Sequence, residues 1–259
     1  VNLDTLRSLL RIFYKTHMKI LVIGDSCTDV FVYGTIERLA PEAPVPVIIP
    51  KYSKENPGMA SNVAANLKAL GAEVDMITNA EIIKKIRYVD ERYNQMVVRV
   101  DENDTCERYD GVYETVGYDA IVISDYCKGF LTEEDIEAFA ERATCPIFLD
   151  TKKRLGEWCK EIDFIKINHL EHKKNFDRLP NYPQLENKII VTKGRDGCEY
   201  KGTTYPTKEV PVKDVSGAGD TFMTGLAYEY INTKDIKKAI DFAQHCTTIV
   251  VQKTGVATV

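Results

Sequence analysis

The 259-residue chain lacks both of the common glycine-rich nucleotide motifs. Neither G-x-x-x-x-G-K-S/T nor G-x-G-x-x-G occurs, which excludes a P-loop and a Rossmann fingerprint. No C-x-x-C pair is present, and the seven cysteines, at 27, 106, 127, 145, 159, 198 and 246, are odd in number and scattered. That pattern excludes a disulfide framework or zinc ribbon and predicts free thiols in a reducing compartment. No apolar run is long enough for a bilayer and no signal peptide is recognisable, so the expectation is a cytoplasmic protein with no membrane partner. Positive charge is not in excess. The formal net charge of -5 predicts no general affinity for nucleic acid, and an anionic ligand would need a locally basic site. Histidines number only four and show no metal spacing.

What is present centres on Asp214-Val215-Ser216-Gly217-Ala218-Gly219-Asp220, followed by a run with apolar residues Phe222, Met223, Leu226, Ala227, Tyr230 and Ile231 at helical spacing. A glycine-flanked turn feeding a helix offers unpaired N–H groups and partial positive charge to an anion. Gly217 and Gly219 let that anion approach the backbone. Asp220, in the first helical turn, would place a carboxylate beside the cradle, as phosphoryl transfer to a hydroxyl requires. The plain alternative is a helix cap, since an acid there favours the dipole.

Along the chain, Asn2 to Thr16 has an amphipathic helix pattern, either a genuine leading helix or the product of a misassigned start, because Met18 stands just before a strand. Ile20 to Ile23 predicts a buried strand that ends at Gly24-Asp25. Asp25 and Asp29 then fall where ligands bind at the carboxyl ends of parallel strands, or serve as turn residues. Phe31 to Tyr33 and Val45 to Ile49 bracket a proline-rich stretch that forbids helix and central strand, which predicts a protruding edge hairpin. Pro57-Gly58-Met59-Ala60-Ser61-Asn62 opens a helix to Leu70, with Met59, Val63, Leu67 and Leu70 on its core face. Val74 to Ile77 predicts another buried strand. Ile83 to Val89 and Met96 to Val100 predict a strand pair with Arg87, Arg92 and Arg99 in or beside it, either a solvated basic face or a phosphate clamp.

From Ala120 onward strands and helices alternate, each strand ending in polar residues: Asp125-Tyr126-Cys127-Lys128, Asp150-Thr151-Lys152-Lys153, Asn168-His169-Leu170-Glu171 and Lys193-Gly194. Thr132 to Asp135 has the form of a capping box. The alternation predicts an α/β fold with a doubly wound, mainly parallel sheet and helices on both faces. One domain over 1–259 is expected, with a small β lid from about 30–50 and 83–101. No repeat or low-complexity tract interrupts it.

These motifs together resemble the ribokinase (PfkB) superfamily of sugar kinases. D-V-S-G-A-G-D at 214–220 is similar to that family's D-T-x-G-A-G-D, P-G-M-A-S-N at 57–62 to its G-G-x-A-x-N, and Asn168-x-x-Glu171 to its N-x-x-E. The resemblance implies ATP and Mg²⁺ as cofactors and Asp220 as the base. It implies anion-hole N–H groups at Gly217, Ala218 and Gly219, and Asn168 and Glu171 near metal and phosphate. Lys193, Gly194, Gly197 and Gly255 would lie on the nucleotide side. Asp25, Asp29, Gly58, Asn62, Asp125 and Lys128 would lie on the sugar side. More narrowly, R-L-A-P-E-A-P-V-P-V at 38–47 and S-D-Y-C-K-G at 124–129 resemble heptose 7-phosphate kinases, which phosphorylate the anomeric hydroxyl of D-glycero-D-manno-heptose 7-phosphate on the way to surface polysaccharide. Arg38, Arg87, Lys152 and Lys153 then become candidates for the 7-phosphate. A homodimer through the lid edge is a further expectation.

Two departures from the family pattern stand out. Ile77-Thr78-Asn79 runs almost directly into Ala80-Glu81-Ile82-Ile83, where the family has a helix and more, and the chain stops at Val259, without the nucleotidyltransferase domain fused to many such kinases. The alternatives they leave are a kinase of another sugar or nucleoside, and a shortened protein that binds nucleotide or sugar phosphate without catalysis.

Overall fold

The computed structural model describes residues 18–259; the expected leading helix at Asn2 to Thr16 lies outside them. An eight-stranded sheet runs in the order β12-β11-β10-β9-β8-β7-β1-β4. Its parallel part comprises β4 (Glu73–Thr78), β1 (Lys19–Gly24), β7 (Ala120–Asp125), β8 (Ile147–Thr151), β9 (Phe164–Asn168) and β10 (Ile189–Thr192). Strands β11 (Cys198–Tyr200) and β12 (Thr203–Tyr205) add an antiparallel edge, as the short runs after Gly197 predict.

Strand β1 shows why the core has two halves. Its side chains alternate, so Ile20 and Val22 pack with helices α1 (Ala60–Ala69), α4 (Ala218–Thr233) and α5 (Ile236–Val250). Leu21 and Ile23 pack on the other face, beneath α2 (Glu133–Arg142). A strand covered on both sides needs apolar residues at every position, which is what Ile20 to Ile23 and Ala120 to Ile123 supply. Helix α2 starts where the sequence predicts: Thr132 accepts from the Asp135 N–H and Asp135 accepts from the Thr132 N–H.

A second sheet of order β3-β2-β5-β6 forms the lid, from β2 (Ser26–Leu39), β3 (Pro46–Met59), β5 (Lys84–Asp90) and β6 (Gln95–Glu102). It is larger than expected. Strands β2 and β3 pair from Leu39↔Pro46 down to Ser26↔Met59, with register shifts at Tyr33/Gly34 and Ile36/Arg38, so Asp29 and Gly58 lie on lid strands rather than in a turn and a helix start. Pro50 and Pro57 are accommodated because β3 is an edge. Helix α1 therefore begins later, after Met59 at a positive φ of 57°.

Strand β4 also differs from expectation. It is an edge strand with Met76 41% exposed, because the chain passes from Asn79 directly into the lid and no helix from that stretch covers it. Asn79 closes the shortcut by accepting from the Ser26 N–H at 2.7 Å and donating to the Glu81 carbonyl at 2.7 Å.

Candidate active site

The carboxyl ends of the parallel strands, the N-terminus of α4 and the base of the lid converge on Asp220. Gly217 precedes α4 in the left-handed region (φ 77°), and a Cβ there would stand 2.6 Å from the Asn62 amide nitrogen. A Cβ at Gly219 would stand 2.8 Å from Lys166 Nζ. Gly217 thus requires glycine for conformation as well as space, whereas at Gly219 only the tip of the Lys166 side chain limits the space. Ala218 N–H closes the turn onto the Val215 carbonyl at 3.2 Å, and the first helical bond runs from Thr221 N–H to Gly217. The N–H groups of Gly219 and Asp220 lie between them, at the positive end of the helix.

Asp220 is 3% exposed. Its Oδ2 accepts from Asn62 Nδ2 at 3.0 Å and its Oδ1 from the Tyr126 hydroxyl at 2.7 Å. Burial pushes its carboxyl up to about 6, against the two hydrogen bonds that favour the charged form. A carboxylate of that proton affinity suits general-base work near neutral pH. Asn62, expected to face the sugar, is buried and spends its amide on this carboxylate. Asn66 Nδ2 in turn holds Asn62 Oδ1 at 2.9 Å.

Asp25 and Asp29 separate sharply. Asp25 is 1% exposed and accepts backbone N–H groups from Tyr126 at 2.6 Å, Lys128 at 3.3 Å and Phe130 at 3.3 Å. It fastens the loop after β7 and has no face left for a substrate. Asp29 sits on the lid's inner face and pairs with Arg87. A Cβ at Gly58 would stand 2.2 Å from Asp29 Oδ2, so glycine leaves room for this carboxylate.

The four basic candidates for one phosphate do not gather. Lys153 binds both oxygens of the buried Asp125 at 2.9 Å. Lys152 joins Glu171 at 2.6 Å and Asp150 at 3.3 Å. Arg38 is exposed at the far end of β2, nine residues or roughly 30 Å of strand from Asp29. Only Arg87 lies at the base of the lid, and Lys128 is paired with Asp104.

Sequence reasoning missed Lys85. It is 8% exposed, lies opposite Asp29 in the β2–β5 register, and no carboxylate among the described residues pairs with it. Burial lowers its proton affinity. The register aligns Lys85 with Asp101 and Arg87 with Arg99, so three cations share one lid face. Period-two alternation from Arg87 is the signal that reaches Lys85. Arg92, in contrast, is held by Asp90 in the β5–β6 turn.

Where the nucleotide is expected, a crevice of about 120 Å³ is lined by Gly194, Gly197, Ala218, Gly219, Phe222, Gln244 and others. Gly197 is fixed by φ 82° and by a Tyr205 carbonyl 2.0 Å from where a Cβ would fall. Lys193 pairs with Glu199 beside it. Gly255 does not line the crevice; its N–H donates to Asp214 Oδ2 at 3.0 Å, tying the C-terminal loop to the glycine turn. Asn168 and Glu171 form a capping box at the start of α3 (His169–Asn175). Asn168 Oδ1 accepts from the Leu170 and Glu171 N–H groups at 2.9 Å, and Glu171 Oε2 accepts from the Asn168 N–H at 2.8 Å. Among the described residues no group of three His, Cys, Asp or Glu is gathered to hold a metal by itself.

A glycine-capped anion cradle, a buried carboxylate with raised proton affinity and a β lid over it define a class of phosphotransferase site. The sequence profile of pfkB family carbohydrate kinase matches residues 101–259, and the chain belongs to that family. It is 30% identical over 292 aligned positions to the bifunctional protein HldE of Nitratiruptor, covering 93% of this chain and 63% of that protein. It is 31% identical to HldE of Helicobacter acinonychis, covering 92% and 64%. The chain thus spans less than two thirds of these relatives, while the 292 aligned positions exceed its own 259 residues, so the alignment includes positions this chain lacks. Among solved structures, the nucleoside kinase of Methanocaldococcus jannaschii aligns with a TM-score of 0.69 at 18% identity, covering 92% of this chain and 93% of that one. Arabidopsis thaliana ribokinase complexed with ribose and ATP aligns at 0.66 and 14%, covering 93% and 94%. The fold is ribokinase-like. No described helix is long and apolar enough to cross a membrane.

Proposed function

We propose that the chain is an ATP-dependent kinase of a phosphorylated sugar, with the anomeric hydroxyl of D-glycero-D-manno-heptose 7-phosphate as the favoured acceptor and the 1,7-bisphosphate as product. The supporting observation is the lid's inner face. Arg87 and Arg99 stand directly opposite each other, an unfavourable like-charge pair, beside the buried Lys85. Asp29 and Asp101 offset the two arginines and leave the lysine for an anion. A substrate phosphate there would offset the remaining charge and orient the sugar towards Asp220.

Asp220 takes the proton of the attacking hydroxyl. The free N–H groups at the start of α4 stabilise charge on the phosphoryl group, and the lid excludes water. ATP occupies the crevice beside Gly194 and Gly197. Glu171, at the start of α3, would be the carboxylate that holds a Mg²⁺, which needs only one or two, and the ion would supply charge neutralisation at the phosphates. The single-domain organisation over 1–259, the cytoplasmic location and a homodimer through the lid belong to the same reading. For the dimer, Ile86, Tyr88, Val98 and Val100 form an apolar patch on the opposite lid face, with Val98 50% and Val100 41% exposed.

ADP release measured across free and phosphorylated sugars tests the proposal. The expected result is turnover with heptose 7-phosphate and little with its unphosphorylated form. Turnover with free sugars or nucleosides alone overturns the acceptor, and tight ATP binding with no sugar-dependent ADP release overturns the kinase reading.

A further inference from the structure

We propose that Tyr126 is the positioning residue of the base: its hydroxyl aims the Asp220 carboxylate and keeps it ionised, and the lid and the nucleotide side hold the ring that carries this hydroxyl. The inference rests on Asp220 being the base.

Four contacts hold this one residue, three through its side chain and one through its backbone. Its hydroxyl donates to Asp220 Oδ1 at 2.7 Å, while Asn62 donates to Oδ2, so the two donors fix both the rotation and the plane of the carboxylate. Each carboxylate oxygen has a second lone pair, and that on Oδ1 is left for the acceptor hydroxyl. Two ammonium groups approach the ring. Lys85 Nζ, from the lid, is 5.1 Å from its centroid, and Lys152 Nζ, which also binds Glu171, is 4.9 Å away. The backbone N–H of Tyr126 is pinned by the buried Asp25. Burial and the neighbouring Asp220 hold the phenol well above its usual value, so it stays a donor throughout the working range. The other groups around the carboxylate are Asp150 on β8, which opposes its charge, Lys166 on β9, which favours it, and the buried Cys27 on β2, whose thiol is pushed up to about 12 and stays neutral. Tyr126 and Asn62 are the two hydrogen-bond donors to the carboxylate among the described residues, and the Tyr126 ring also lies beside Lys85 of the lid.

Tyr126→Phe tests the inference, because it removes the hydroxyl and keeps the ring beside its two lysines. The wild-type kcat/KM is expected to fall as pH drops through about 6, since the base must be ionised. A hydrogen bond to a charged group contributes about 1.5–3 kcal/mol, so its loss should move that acid limb up by about one to two pH units. Turnover at pH 8 should drop about 10-fold from lost orientation, with KM for ATP unchanged. A purely structural tyrosine would leave the acid limb in place. An unmoved limb, with Asp220→Asn inactive, overturns the role of Tyr126 and spares that of Asp220. Full activity of Asp220→Asn overturns the base itself. A readout independent of turnover is the ¹³C NMR titration of the Asp220 carboxyl, assigned by its loss in Asp220→Asn. Its midpoint should rise in Tyr126→Phe, and an unchanged midpoint refutes the proposal whatever the substrate.

Discussion

Strand β7 of the main sheet and strand β6 of the lid are both rich in branched apolar residues, yet they have opposite fates. Every residue of β7 is buried, and every residue of β6 is exposed. The first is paired on both edges and covered by helices on both faces; the second is the free edge of a four-stranded sheet with only one face towards the body. Composition alone therefore does not place a strand in a core. Both faces of the main sheet are filled with apolar side chains, whereas the lid turns Val98 and Val100 away from its charged face and leaves them in solvent. Asp220 sits where the two meet. Asp220→Asn is accordingly the substitution expected to separate them most cleanly. Turnover should fall by about 10²–10⁴-fold with heptose 7-phosphate as acceptor, while the thermal midpoint stays within a few degrees of wild type. Steady-state ADP release and calorimetry on the same protein check both halves.

The main sheet was legible because a strand buried on both faces must be apolar at every position, and Ile20 to Ile23 and Ala120 to Ile123 announce this without help from distant residues. The glycine turn at 217–219 was legible for a similar local reason. The lid was legible in outline only. Its strand lengths depend on pairing between β2 and β3, a long-range property, so Asp29 and Gly58 were placed in the wrong elements. Residue roles at the site depended on three-dimensional neighbours. Asp25 and Asp29, four positions apart, differ because one meets three backbone N–H groups and the other meets Arg87. Lys152 and Lys153, adjacent in sequence, point to different carboxylates on different strands. Lys85 was overlooked because nothing local marks a lysine as buried.

A truncation on each sheet sharpens the contrast in stability. Phe148, fully buried in a three-ring cluster with the stacked Phe164 and with Tyr230, should cost about 3–5 kcal/mol as Phe148→Ala. Val98→Ala on the lid should cost no more than about 0.5 kcal/mol in the monomer, because half of the side chain is already in water. Denaturant titration at low concentration gives both values. If Val98 proves as costly as Phe148, a second copy covers the lid in the state measured. Val98→Lys should then shift sedimentation from dimer to monomer while leaving the fold intact.

The smallest expected effect sets the two capping boxes against each other. Thr132 with Asp135 opens α2 and Asn168 with Glu171 opens α3, with the same reciprocal hydrogen bonds. Thr132 belongs to the scaffold. Its box is further locked by Arg108 and Tyr113, which, against burial, hold the Asp135 carboxyl well below the usual range. Asn168 stands at the end of β9 with its Glu171 partner joined to Lys152, and Lys152 faces the Tyr126 ring, whose hydroxyl donates to Asp220. As caps the two are equivalent, so Thr132→Ala and Asn168→Ala should each cost about 1 kcal/mol of stability. They should diverge in kinetics. Thr132→Ala is expected to leave KM for Mg-ATP unchanged, whereas Asn168→Ala should raise it about 10-fold if the end of β9 meets the nucleotide. Equal stability losses with equal KM values would make the second box no more than a helix start, and would move the metal-proximal role to other residues at the crevice.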